Sequence, residues 1–70
     1  MNNKTIGQIV KENRKKLNLT QKELAMYACV SPKFIIELEN DKKTIQLDKL
    51  YDVLNILDLT ITITRKASEE

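Results

Sequence analysis

Apolar residues return at helical spacing in four successive stretches of the chain, and a fifth stretch alternates strictly between polar and apolar. Ile6, Ile9, Val10 and Leu17 recur three, four or seven apart, with Lys11, Glu12, Lys15 and Lys16 on the other side, which predicts a first helix from about Ile6 to Lys16. Thr5 and Gln8 have the spacing of a capping box, in which hydroxyl and amide each satisfy a free backbone N–H at the helix start. Gly7 falls in the first turn, where it destabilises less than it would mid-helix. Asn18 stands where a left-handed residue is expected after the helix.

Thr20 and Glu23 repeat the capping box and open a second helix, about Gln21 to Ala28, with Leu24, Ala25 and Ala28 inward. Leu19 before the cap and Leu24 inside it form a hydrophobic staple. Ser31 caps a third helix with Pro32 at its first position, where the missing N–H costs nothing. Val30 and Ile35 repeat the staple. Helical phase sends Ile35 and Leu38 to the core, puts Phe34 on the boundary, and turns Lys33 and Glu37 outward with Ile36 adjoining. A fourth helix runs from about Gln46 to Leu57, its apolar seam made by Leu47, Leu50, Leu54 and Leu57 and widened by Tyr51, Val53 and Ile56.

Two capped, stapled helices joined by about three residues are the arrangement of a DNA-binding helix-turn-helix. Pro32 to Glu37 is then the segment for a major groove, with Ser31 at its start. Pro32 has no side-chain hydrogen bond to offer a base. Lys33 can donate to guanine O6 and N7, Phe34 or Ile36 can touch a thymine methyl, and Glu37 can accept from cytosine N4. A carboxylate near phosphates also repels them. Two readings of Glu37 therefore stay open: it selects cytosine, or it weakens single-domain binding so that function relies on a dimer. Lys22, Lys42 and Lys43 are candidates for neutralising phosphates.

Composition narrows the function classes. Seventy residues make one small domain, whose core is marginal unless a partner adds burial. No apolar run approaches the ~20 residues of a membrane span, and no signal peptide is expected. A net charge of +2 and a pI of about 8.8 permit DNA binding without demanding it. One cysteine, Cys29, excludes an intrachain disulfide and fits a reducing cytoplasm. With no histidine, one cysteine and one glycine, there is no imidazole base, zinc site or phosphate-cradling loop. Neither an enzyme nor a small-molecule substrate is expected, and no cofactor.

The stretches T-Q-K-E-L-A (from Thr20) and V-S-P-K-F-I-I-E-L-E-N (from Val30) resemble the Cro/C1-type (Xre) helix-turn-helix family over roughly Ile6 to Leu59. More narrowly, Phe34 to Leu50 followed by a threonine-rich strand is similar to the short HipB-type antitoxins. The resemblance implies that Gln21 donates to a DNA phosphate. It also implies that Arg14, seven residues before that glutamine, pairs with Glu39 at the end of the recognition helix and locks the first helix against the third. Two residues depart from the family pattern. Cys29 stands where glycine is usual because the chain turns in the left-handed region, and Glu37 stands where glutamine or arginine is common.

Thr60-Ile61-Thr62-Ile63-Thr64 reads as a strand with β-branched residues throughout. A lone strand leaves both edges unpaired, so its simplest partner is its own copy in a second chain, antiparallel about a two-fold axis. Tyr51 and Ile56 (with Val53) would extend that interface. The expected organisation is an arm at 1–5, an all-α helix-turn-helix domain of four helices and lambda-repressor-like fold at 6–59, a dimerising strand at 60–64 and a charged tail at 65–70. The resemblance implies a cytoplasmic homodimer that binds operator DNA, represses its own operon and binds a HipA-type kinase toxin. The alternatives are a stand-alone phage- or plasmid-type repressor, or an interaction module that has lost DNA binding.

Overall fold

A computed structural model of the chain describes residues 4–67. The ends of the expected arm and tail, residues 1–3 and 68–70, lie outside the described residues. Four helices follow one another: α1 (Ile6–Lys16), α2 (Gln21–Ala28), α3 (Pro32–Glu39) and α4 (Leu47–Ile56). Three begin on a side-chain cap. Thr5 and Thr20 each complete a capping box, with Gln8 and Glu23 returning the hydrogen bond, and Ser31 Oγ accepts from the Phe34 N–H at 3.1 Å. Gln46, at the start of α4, makes no side-chain cap.

All four helices end alike, and none of them uses glycine. Asn18, Cys29, Asp41 and Asp58 have φ between 57° and 60°. The next residue's N–H then reaches back to a carbonyl five positions earlier: Leu19 to Arg14, Val30 to Ala25, Lys42 to Glu37 and Leu59 to Leu54, at 2.8 to 3.1 Å. These are Schellman closures, which satisfy carbonyls that would otherwise be orphaned. Leu19, Val30 and Leu59 pack against the core from these positions.

The core is apolar and continuous: Val10 from α1, Leu24, Ala25 and Ala28 from α2, Phe34, Ile35 and Leu38 from α3, and Leu50, Val53, Leu54 and Leu57 from α4 and its end. α2 lies against both α3 and α4, and α1 packs on α3. Several expectations change here. Ile6 and Leu17 are about half exposed and Ile9 about a third, because α1 meets α3 along Gly7, Val10 and Arg14, one position round from the isoleucines. The α4 seam starts at Leu50, since Leu47 is exposed. Val53, placed by its phase among residues that reach a second subunit, is fully buried.

Gly7 permits the α1–α3 crossing. A Cβ built there would lie 2.5 Å from the Leu38 carbonyl oxygen, 2.7 Å from Asp41 Oδ1 and 2.8 Å from the Glu39 carbonyl oxygen. The Gly7 N–H donates to Asp41 Oδ1 at 3.0 Å and the Thr5 hydroxyl to Asp41 Oδ2 at 2.8 Å. A carboxylate from the α3–α4 loop thus serves the positive end of α1. Among the described residues there is no strand: residues 60–67 have no regular hydrogen bonding, and Ile63 is 87% exposed. A strand needs a paired neighbour, and a single copy of this segment has none.

Candidate nucleic-acid interface

The outward side of α3 consists of Pro32, Lys33 and Ile36, all exposed, and Glu37, which is half-buried. The sequence phase also put Phe34 within reach of a base; the structure does not. Its ring is buried in the core, with the Lys49 ammonium 6.0 Å from the ring centroid closing the outer edge. One helical position separates the two outcomes, about 100° of rotation, and the packing of α3 on α2 decides it.

The opposite side of α3 is fixed by a buried ion pair. Arg14 Nε donates to Glu39 Oε2 at 2.7 Å and Nη2 to Glu39 Oε1 at 3.0 Å, while Nη1 donates to the Leu19 carbonyl at 2.8 Å. Both residues are only 8% exposed. Desolvating two charges is costly, and the bidentate geometry plus the carbonyl acceptor offsets it. Among the described residues no buried side-chain nitrogen or oxygen lacks a partner. The arrangement ties α1, the segment leading into α2, and the end of α3 together through one guanidinium.

Gln21 joins the same network. Its Nε2 donates to Glu39 Oε1 at 3.1 Å, and the residue is half-buried. The amide carries a second N–H that this contact leaves available. The side chain is therefore oriented by a buried carboxylate rather than loose at the helix start. Sequence spacing alone did not indicate this bond.

Glu37 also has a partner that the sequence reading did not assign: Lys42 Nζ lies 3.3 Å from Glu37 Oε1. An open concavity beside them is lined by Phe34, Lys43, Thr44, Ile45 and Gln46. Lys22, Lys33 and Lys43 are exposed and make no ion pair among the described residues. Lys4, just before α1, donates to Glu12 on that helix at 2.7 Å. That hydrogen bond holds the Glu12 carboxyl below the usual carboxylate range.

Outside this face, Tyr51, Ile56, Ile61 and Ile63 are exposed. An apolar cleft of about 100 Å³ runs between α1 and the C-terminal segment, lined by Ile6, Ile9, Leu54, Leu59, Thr60 and Ile61. Thr60, Thr62 and Thr64 are exposed along the same segment. Among the described residues no group of histidine, cysteine or acidic side chains could hold a metal ion, and no helix is long and apolar enough to cross a membrane.

The sequence profile of the helix-turn-helix family matches residues 10–63. An uncharacterized HTH-type transcriptional regulator, y4mF of Sinorhizobium fredii (strain NBRC 101917 / NGR234), is 45% identical over 58 residues, 83% of this chain and 76% of that protein. Among solved structures, SinR, described as the master regulator for biofilm formation and solved in complex with DNA, matches with a TM-score of 0.73 at 28% identity, over 80% of this chain and 90% of its own. A chain of the HipA-HipB-O2-O3 complex matches with a TM-score of 0.75 at 23% identity, covering 96% of this chain and 99% of that one. At that identity the likeness is one of fold.

Proposed function

The chain belongs to the Cro/C1-type helix-turn-helix family of DNA-binding transcriptional regulators, and on that premise we propose that it is a repressor whose α3 enters the major groove of operator DNA. The observation that carries the reading is the two-sidedness of α3. Lys33, Ile36 and Glu37 lie outward, while Glu39, Ile35 and Leu38 anchor the helix from behind. A reading element must be held at a fixed angle, and the Arg14–Glu39 pair supplies that rigidity. Gln21, Lys22, Ser31 and Lys43 act on phosphates beside it, with the second N–H of Gln21 free to donate.

The repressor works as a homodimer. Residues 60–64 pair with the same segment of a second copy, which gives their unpaired backbone a partner and covers Ile61 and Ile63. Tyr51 and Ile56 lie on the edge of that interface. Two α3 helices would then stand about 34 Å apart, one turn of duplex, before a palindromic site. The test is binding of the full chain to the DNA upstream of its own gene, with sedimentation to give its mass. Lys33→Ala should weaken binding at the specific site, and Lys43→Ala should lower the salt slope by roughly one phosphate equivalent. A protein that stays monomeric and ignores that DNA would sink the proposal.

The finer reading is that this repressor is the antitoxin of a HipA-type kinase toxin and represses the operon encoding both. It is supported by the resemblance of Phe34 to Leu50 and the threonine-rich segment after α4 to HipB-type sequences. The likeness in fold to a chain of the HipA-HipB complex agrees with it. Purification of the tagged chain from its native operon should bring down a kinase-like protein. Its absence, together with specific operator binding, would leave a stand-alone repressor.

A further inference from the structure

We infer that Glu37, paired with Lys42, is the residue through which α3 selects a cytosine in the operator; the inference rests on the DNA-binding reading above. The starting point is how Lys42 is placed. At the ends of the other three helices, the residue that closes the Schellman turn is apolar and packs inward: Leu19, Val30 and Leu59. At the end of α3 it is Lys42, whose N–H bonds the Glu37 carbonyl at 3.0 Å while its ammonium lies 3.3 Å from Glu37 Oε1. The backbone closure brings the Lys42 main chain back over the last turn of α3, within side-chain reach of the Glu37 carboxylate.

Two consequences follow for a carboxylate on a DNA-facing helix. Its charge is compensated locally, which reduces the repulsion from phosphates that otherwise argues against it. Only one of its oxygens is engaged, and Oε2 accepts no hydrogen bond from any described residue. An ionised carboxylate can only accept. The major-groove edges offer two donors, cytosine N4 and adenine N6, and adenine sets its N7 acceptor beside the amino group where a carboxylate is repelled. Cytosine is the base that remains. Lys33, one helical turn earlier on the same side, makes no ion pair among the described residues. It therefore does not neutralise Glu37 in place of Lys42 and is left to donate to guanine.

The experiment is selection from a pool of randomised duplexes, using the full-length wild-type protein, Glu37→Gln and Lys42→Met, followed by titration of single-base-pair variants of the winning site. The wild type should require one C·G pair per half-site, with other pairs there weakening binding roughly 10- to 100-fold. Glu37→Gln should move that single preference toward A·T and leave the other positions as they were. Lys42→Met should flatten discrimination at the same pair with an unchanged melting temperature, whereas loss of a mere phosphate contact would weaken every duplex equally. A Glu37→Gln protein that gains affinity by one factor on all duplexes, with the C·G preference intact, would overturn the inference. A wild type that selects no sequence at all would instead overturn the DNA-binding reading, and this inference with it.

Discussion

The α1–α3 crossing and the turn between α2 and α3 both constrain the backbone tightly, yet the only glycine in the chain stands at the first. Gly7 has no unusual torsion, but two carbonyl oxygens and a carboxylate oxygen occupy the space its Cβ would need. Cys29 has φ 59° and ψ 41°, a left-handed conformation that disfavours any side chain, and is exposed. The difference is between collision and torsion. A left-handed residue costs roughly 1–2 kcal/mol and the cost stays local. A Cβ 2.5 Å from a backbone oxygen forces one helix off another, and neither element can yield without disturbing the core.

Substitutions can break or sharpen this contrast. The largest effect is expected at Arg14, which secures the crossing from the other side: Arg14→Ala strands the Glu39 carboxylate in the interior. It should cost about 3–5 kcal/mol, read as a fall in the denaturant midpoint. Gly7→Ala comes next. Alanine is the better helix former, so a torsional account predicts a gain, whereas the collision predicts a loss of about 1–3 kcal/mol and a melting temperature lower by roughly 5–20 °C. Cys29→Gly should move the other way, raising stability by about 1 kcal/mol or less, because relief of the left-handed strain is partly cancelled by glycine's entropy in the unfolded chain. An unchanged or lower melting temperature would remove strain from the description of that turn.

The smallest effect belongs to the exposed pair of Lys4 and Glu12. Because the hydrogen bond from Lys4 depresses the Glu12 carboxyl, its contribution is present above the unfolded-state value and is lost as pH falls through the depressed one. On an open surface that contribution is screened, so Glu12→Gln should leave thermal melting without a resolvable change. A measurable drop would mean that surface charge on α1 matters more to the crossing than the geometry implies.

What the sequence disclosed, and what it withheld, divides along the same line. Capping boxes at Thr5 and Thr20 and the serine-proline start of α3 were legible because cap and target lie three residues apart, and helix physics fixes their relation. Asn18 and Cys29 were legible as left-handed ends for the same reason. The Gly7–Asp41 contact was not, since its members are 34 residues apart and neither has a pattern that names the other. The inward stripe of α1 is hidden in the sequence because Gly7 and Arg14, two of its three members, carry no hydrophobic signal, and the neighbouring isoleucines do. In the candidate interface, residue types suggested Lys33 and Glu37. They could not show that Phe34 turns inward, that Gln21 binds Glu39, or that Lys42 accompanies Glu37.

Asp41 fastens the first turn of α1 to the loop that carries Lys42 and Lys43. Releasing that carboxylate exposes the Gly7 amide and loosens the basic loop in one event, so the two regions form a single unit of local opening despite their distance in the chain. Hydrogen exchange at Gly7 and at Lys42 should accordingly share one opening free energy, and Asp41→Asn should quicken both together.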